Sequence, residues 1–69
     1  MKQYKVIIKV GDDKFLKYHS RDLLSLVRFL DKDYKDWRYF NVYDGASGEQ
    51  IANYTKNNKP THKRVLNRL

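Results

Sequence analysis

Cysteine is absent from this 69-residue chain, which excludes disulfides and metal sites built from thiolates. The longest apolar run, residues 6–8, is far shorter than the roughly 20 residues that a membrane helix needs. A core in a chain of this size rarely supplies more than about 3–5 kcal/mol of net stability, so self-association is one way to gain more. We therefore expect a single soluble, cytoplasmic domain that has no cofactor and no membrane partner.

Arrangements of residues that would support catalysis are also lacking. Ser47 has no Gly-x-Ser-x-Gly elbow around it, and Gly45-x-x-Gly48 is not followed by the Lys and Ser or Thr of a phosphate loop. Asp12-Asp13 and Asp31-x-Asp33 lack the additional oxygen ligands of a calcium loop. His19 directly precedes a helix-capping serine, where a boundary role is more plausible than that of a general base. These absences favour a protein that is not an enzyme and that acts by binding.

Alternating apolar residues and turn residues predict four strands, over residues 4–10, 14–18, 37–43 and 49–54. Between the second and third strands, Ser20 is a suitable N-cap and Asp22 falls in the first turn of a helix. The apolar positions of that segment follow one face of a helix that ends near residues 34–36; they are Leu23, Leu26, Val27, Leu30 and Tyr34.

The order of these elements is ββαββ, which predicts an α+β fold. The simplest packing is a four-stranded antiparallel sheet with one helix packed on one face. We expect residues 1–54 to form this domain and residues 55–69 to form a basic C-terminal tail. Pro60 and Thr61 could start a short helix through Leu69, although such a helix is too short to be stable without docking.

Charge is distributed unevenly along the chain, whose net charge is +7. Residues 55–69 contain five bases and no acid, whereas residues 1–54 contain the other ten bases and all eight acids. The tail therefore carries +5 and the domain only +2. A basic tail attracts phosphates, but it also serves as a solubilising surface, so charge alone does not identify the ligand.

The face of the sheet away from the helix is predicted to carry aromatic and basic residues together. If Val6, Ile8, Leu16, Phe40 and Val42 face the helix, strict alternation puts Ile7, Phe15, Trp37, Tyr39 and Tyr43 on the other side, among Lys5, Lys9 and Lys17. A small monomer seldom leaves such a surface unused.

Three interpretations of this surface remain open. Its rings could stack on nucleic-acid bases while lysines hold phosphates, or it could be a protein interface, either a homodimer or a site for a host protein. Alternatively, the faces are reversed or the tail covers the sheet, and the aromatic residues belong to the core. The abundance of Lys, Asn and Tyr is typical of small basic proteins from phages and mobile elements of low-GC bacteria.

The leading hypothesis from the sequence is a small nucleic-acid-binding protein, with a protein-interaction module as the alternative. The candidate contact residues are those of the predicted sheet face and of the tail: Trp37, Tyr39, Tyr43, Lys5, Lys9, Lys17, Lys56, Lys59, Lys63, Arg64 and Arg68.

Overall fold

A computed structural model describes residues 3–65 of the chain. It contains four strands and one helix, in the order β1 (Tyr4–Val10), β2 (Lys14–Ser20), α1 (Leu23–Asp33), β3 (Trp37–Asp44) and β4 (Gln50–Thr55). The predicted ββαββ order and α+β class are confirmed, and each strand lies within two residues of its predicted bounds.

All four strands belong to one antiparallel sheet in the order β2-β1-β3-β4. The first hairpin pairs β1 with β2, and the helical connection returns the chain so that β3 pairs with the other side of β1. Strands β2 and β4 therefore form the two edges, and the sheet stays open.

Asp22 is the N-cap of α1, because its carboxylate accepts a hydrogen bond from the Ser25 amide at 3.1 Å. That bond holds the pKa of Asp22 below its usual value. The prediction that Ser20 caps the helix was wrong by two residues, since Ser20 still belongs to β2 and pairs with Tyr4. The helix has 11 residues, and within residues 3–65 no helix is long and apolar enough to cross a membrane.

One layer of apolar side chains lies between α1 and the sheet. Phe40 and the helix residues Leu23 and Leu30 are completely buried at its centre. The full set of buried apolar residues is Val6, Ile8, Val10, Leu23, Leu26, Val27, Leu30, Trp37, Phe40 and Val42. The period of the helix and the alternation of β1 both direct these residues to the same layer, so the helix covers one face of the sheet.

A β-bulge at Arg38 changes the alternation of β3. Lys9 pairs with Tyr39, but Val10 pairs with Trp37, so Arg38 is an extra residue on the β3 side. The bulge turns Trp37 onto the helix face, where its side chain is 1% exposed. The prediction that Trp37 lies on the open face was therefore wrong, because strict alternation does not continue through the bulge. Arg38 points outward and donates to the Gly11 carbonyl oxygen at 2.8 Å.

The described part of the tail packs on the helix side of the sheet. Thr55 and Asn58 form a tight turn, after which Pro60 is buried and the Lys63 carbonyl accepts a hydrogen bond from the Leu23 amide at 2.9 Å. No helix begins at Pro60: residues 61–64 form bends, and positions 66–69 of the predicted helix lie outside the described residues. The tail thus supports α1, and beyond the Thr55–Asn58 turn its described contacts are with the helix, Tyr4 and Trp37 on the helix side of the sheet.

Candidate nucleic-acid interface

The face of the sheet opposite α1, which we call the open face, is a grid of twelve side chains. The register of the three strand pairs aligns them in three rows of four. The first row contains Phe15, Lys9, Tyr39 and Thr55; the second contains Lys17, Ile7, Asn41 and Asn53; the third contains His19, Lys5, Tyr43 and Gln50.

The open face carries positive charge without any negative charge of its own. Lys5, Lys9 and Lys17 lie on it, and none of its twelve residues is Asp or Glu. The nearest acids in the first hairpin, Asp12 and Asp13, lie in the turn beyond the first row, and Asp12 is paired with Arg38 at 3.1 Å. An anionic ligand on this face would therefore meet no charge repulsion from the face itself.

Aromatic rings occupy the first and third rows of the open face. Phe15 is 56% exposed, and the ammonium group of Lys9 lies 5.4 Å from the centre of its ring. Tyr39 and Tyr43 are half-buried and lie on β3 on either side of Asn41. With a rise of about 3.4 Å per residue, the two tyrosines are roughly 14 Å apart along the strand.

The open face as a whole is wider than either groove of undeformed B-DNA. Three strand spacings of about 4.8 Å separate β2 from β4, so the backbones alone span roughly 14 Å. The major groove is about 12 Å wide and admits one helix or a two-stranded ribbon. A four-stranded platform with rings on it suits unstacked bases, as in the sheet-based modules that bind single-stranded RNA.

Trp37 is a core residue with two polar contacts at the edge of the helix layer. Its indole Nε1 donates to Asp31 at 2.9 Å, which lowers the pKa of that carboxyl below its usual value of 3.8. The Lys56 ammonium group lies 5.7 Å from the centre of the indole ring and also donates to the Lys35 carbonyl oxygen. Because a buried indole cannot stack on a base, Trp37 has no direct contact to offer on the open face.

The basic residues of the tail that the structure describes do not belong to the open face either. Lys56 is engaged beside Trp37, and Lys59 forms a 3.1 Å ion pair with Asp31 of the helix. Lys63 is exposed, and its carbonyl group holds the start of α1. Arg64 is exposed on the same segment, while Arg68 lies outside the described residues. Of the eleven predicted contact residues, the structure brings together five on the open face: Lys5, Lys9, Lys17, Tyr39 and Tyr43.

The described surface has one depression beside the third row of the open face and another between β4 and the tail. One, of about 600 Å³, lies at the third row and is lined by Lys5, His19 and the β3–β4 turn. In that turn the Asp44 carboxylate already accepts bonds from the Ala46 and Ser47 amides. The other, of about 360 Å³, lies between β4 and the tail, with Tyr54 and Arg64 in its lining. The first depression extends the open face, because it shares Lys5 and His19 with it.

Sequence reasoning missed the polar members of the open face. The sequence predicts His19 to be a boundary residue, whereas it lies in β2 and pairs with Lys5. Asn41 and Asn53 share the second row, where the Asn53 side-chain amide donates to the Asn41 oxygen at 2.5 Å. Alternation along β3 and β4 does assign these positions to the open face, but it does not reveal which residues become cross-strand neighbours.

Comparison of the chain with protein-family models, with curated proteins and with solved structures finds no match.

Proposed function

We propose that this chain is a non-enzymatic protein that binds single-stranded nucleic acid on its open face. The observation that carries the proposal is the grid itself: three lysines and three rings share the sheet face opposite α1, and none of its twelve residues is Asp or Glu. The rings would stack on bases, and Lys5, Lys9 and Lys17 would contact phosphates.

The breadth of the platform supports a single strand rather than a duplex as the ligand. Bases within a duplex are stacked on one another and present only their edges in the grooves. An extended strand can instead lay its bases on Tyr39, Tyr43 and Phe15 while its backbone passes the lysines. The proposal includes a cytoplasmic location, because a chain without cysteine suits a reducing compartment, and an origin in a phage or mobile element, which its Lys-, Asn- and Tyr-rich composition favours.

The test is fluorescence anisotropy with a labelled oligonucleotide of about 12 nucleotides, offered as a single strand and as a duplex. We expect the single strand to bind more tightly at low salt. Tyr39→Leu should weaken its binding roughly fivefold or more, since stacking on an aromatic ring contributes about 1–3 kcal/mol per base. Tyr34→Leu removes a tyrosine on the helix side and is the matched control, with folding of both variants checked by circular dichroism. Absence of binding at low salt, or equal losses in the two variants, would overturn the proposal.

A second candidate is a protein interface, which the exposure of Phe15 favours. An aromatic ring that is 56% exposed beside two lysines suits an acidic protein surface. A homodimer through the same face is less favourable, because two copies would bring Lys5, Lys9 and Lys17 towards one another without any acid between them. Sedimentation at rising protein concentration tests the homodimer. Self-association that tolerates salt and is lost in Phe15→Ser would favour a homodimer over an acidic protein partner or a nucleic acid.

A further inference from the structure

The centre of the open face is polar and carries a pair of side-chain amides. Asn41 and Asn53 are cross-strand partners in the second row, and their hydrogen bond of 2.5 Å joins one amide to the other. Asn53 is exposed and Asn41 is half-buried, so the free edges of both amides are accessible from the open face.

The mutual bond leaves donors and acceptors side by side. Each asparagine has two N–H hydrogens and an oxygen with two lone pairs, and the bond uses one hydrogen of Asn53 and one lone pair of Asn41. Both N–H groups of Asn41 remain available for a ligand, as do the oxygen and the second N–H group of Asn53. Because each amide is held by the other, the pair presents this pattern with little further ordering of the side chains.

The Asn41–Asn53 pair lies between the two tyrosines, so a nucleotide between two stacked bases would lie over the pair. Tyr39 and Tyr43 lie two residues before and after Asn41 on the same strand, each about 7 Å away along the chain. A nucleic-acid strand that stacks one base on each ring must therefore cross the second row, where the edge of a base can reach the amides.

An amide matches adenine better than the other bases on the edge that carries N7. Its oxygen accepts from the adenine N6 amino group while its N–H group donates to N7, whereas guanine offers two acceptors there. Resting on the proposed function, we infer that the Asn41–Asn53 pair binds the N7 edge of the purine that crosses the second row and there prefers adenine to a purine with a carbonyl at position 6. The rings and lysines then supply affinity for any sequence, and the amide pair supplies the preference.

The test uses two single-stranded oligonucleotides of equal length that differ only in one purine base. One contains deoxyadenosine, and the other contains deoxyinosine, whose hypoxanthine keeps the purine ring and N7 but has a carbonyl in place of the N6 amino group and a hydrogen on N1. Comparing two purines keeps stacking nearly constant. We expect wild-type protein to bind the adenine strand about fivefold more tightly, the lower end of the discrimination that one bidentate contact gives.

The double variant Asn41→Val and Asn53→Val should lose this preference and bind both strands about as tightly as the wild-type protein binds the deoxyinosine strand. Valine favours strands, and replacing both partners leaves no unpaired amide. Thr55→Val, on the same face and of nearly equal size, is the control that should keep the preference.

The outcomes separate the two proposals. Equal binding of both strands by wild-type protein overturns the adenine preference and leaves the proposed function standing. A preference that survives in the double variant overturns the role of the amide pair. Failure to bind either strand at low salt overturns the proposed function and the inference together.

Discussion

Salt dependence gives the strongest test of whether the open face, rather than net charge, binds nucleic acid. For single strands, the logarithm of the binding constant falls with the logarithm of salt concentration with a slope of about −0.7 per neutralised phosphate. If Lys5, Lys9 and Lys17 each neutralise one phosphate, they contribute a slope of about −2. Between about 50 and 200 mM salt, that contribution corresponds to a loss of affinity of roughly 20-fold. Replacing all three lysines with glutamine should remove their contribution of about −2 to the slope.

A variant of equal charge controls for long-range attraction. Arg28, Lys32 and Lys35 are exposed on the helix side, and replacing these three with glutamine also lowers the net charge from +7 to +4. Anisotropy titrations at four or five salt concentrations then compare the three slopes. We expect the slope of the helix-side variant to stay close to that of the wild type. If the slope is reduced by the same amount in both triple variants, the net charge of the whole molecule attracts the ligand, and the assignment of phosphate contacts to the open face is wrong.

Three further predictions concern stability and can be tested by thermal or urea unfolding. Trp37→Ala should cost about 3–5 kcal/mol, enough to unfold a domain with so small a core, whereas a wild-type midpoint would contradict the burial of the indole. The Trp37 hydrogen bond lowers the pKa of Asp31 in the folded state. The charged Asp31 carboxylate therefore stabilises the fold at pH values above 3.8, its usual pKa, and this stabilisation is lost as the pH falls through the lower pKa of the folded state. Asp31→Asn keeps an acceptor but does not titrate, so its deficit in Tm relative to wild type should be present near about pH 6 and shrink below about pH 4; a constant deficit would exclude this linkage. Gly45→Ala should lower the free energy of unfolding by about 1–3 kcal/mol, since the added methyl group would overlap the Gln3 carbonyl oxygen. An unchanged midpoint would show that the backbone at Gln3 can move away without cost.

Local patterns were sufficient to predict the elements of this fold. The alternation of β1 and the apolar stripe of α1 are strong because each element buries one face only. The helix start was predicted two residues early because Ser20 and Asp22 are both good caps. The choice between them depends on how far β2 pairs with β1, which is a long-range property.

The position of Trp37 could not be obtained from alternation alone. A strict period of two puts Arg38 on the helix face together with Phe40 and Val42, although an unpaired arginine is very rarely buried. That conflict was the sequence signal for a bulge, and the structure resolves it by turning Arg38 outward and Trp37 inward. The aromatic character of the open face therefore rests on Phe15, Tyr39 and Tyr43.

The path of the tail was also beyond local prediction. Spacing of apolar residues suggested a helix after Pro60, but the contacts that fix this segment are distant in sequence. Leu23 donates to the Lys63 carbonyl, and Lys59 pairs with Asp31. Such contacts exist only once the helix and sheet are assembled, so nothing in the tail itself specifies them.

The inward turn of Trp37 also gives the protein a built-in spectroscopic probe. The chain has a single tryptophan, and the sheet separates its indole from every residue of the open face. Its fluorescence should follow unfolding of the core and departure of Lys56 from the indole ring, while a ligand on the open face leaves it nearly unchanged. Intrinsic emission and the anisotropy of a labelled ligand can therefore be recorded from one sample as independent measures of folding and of binding.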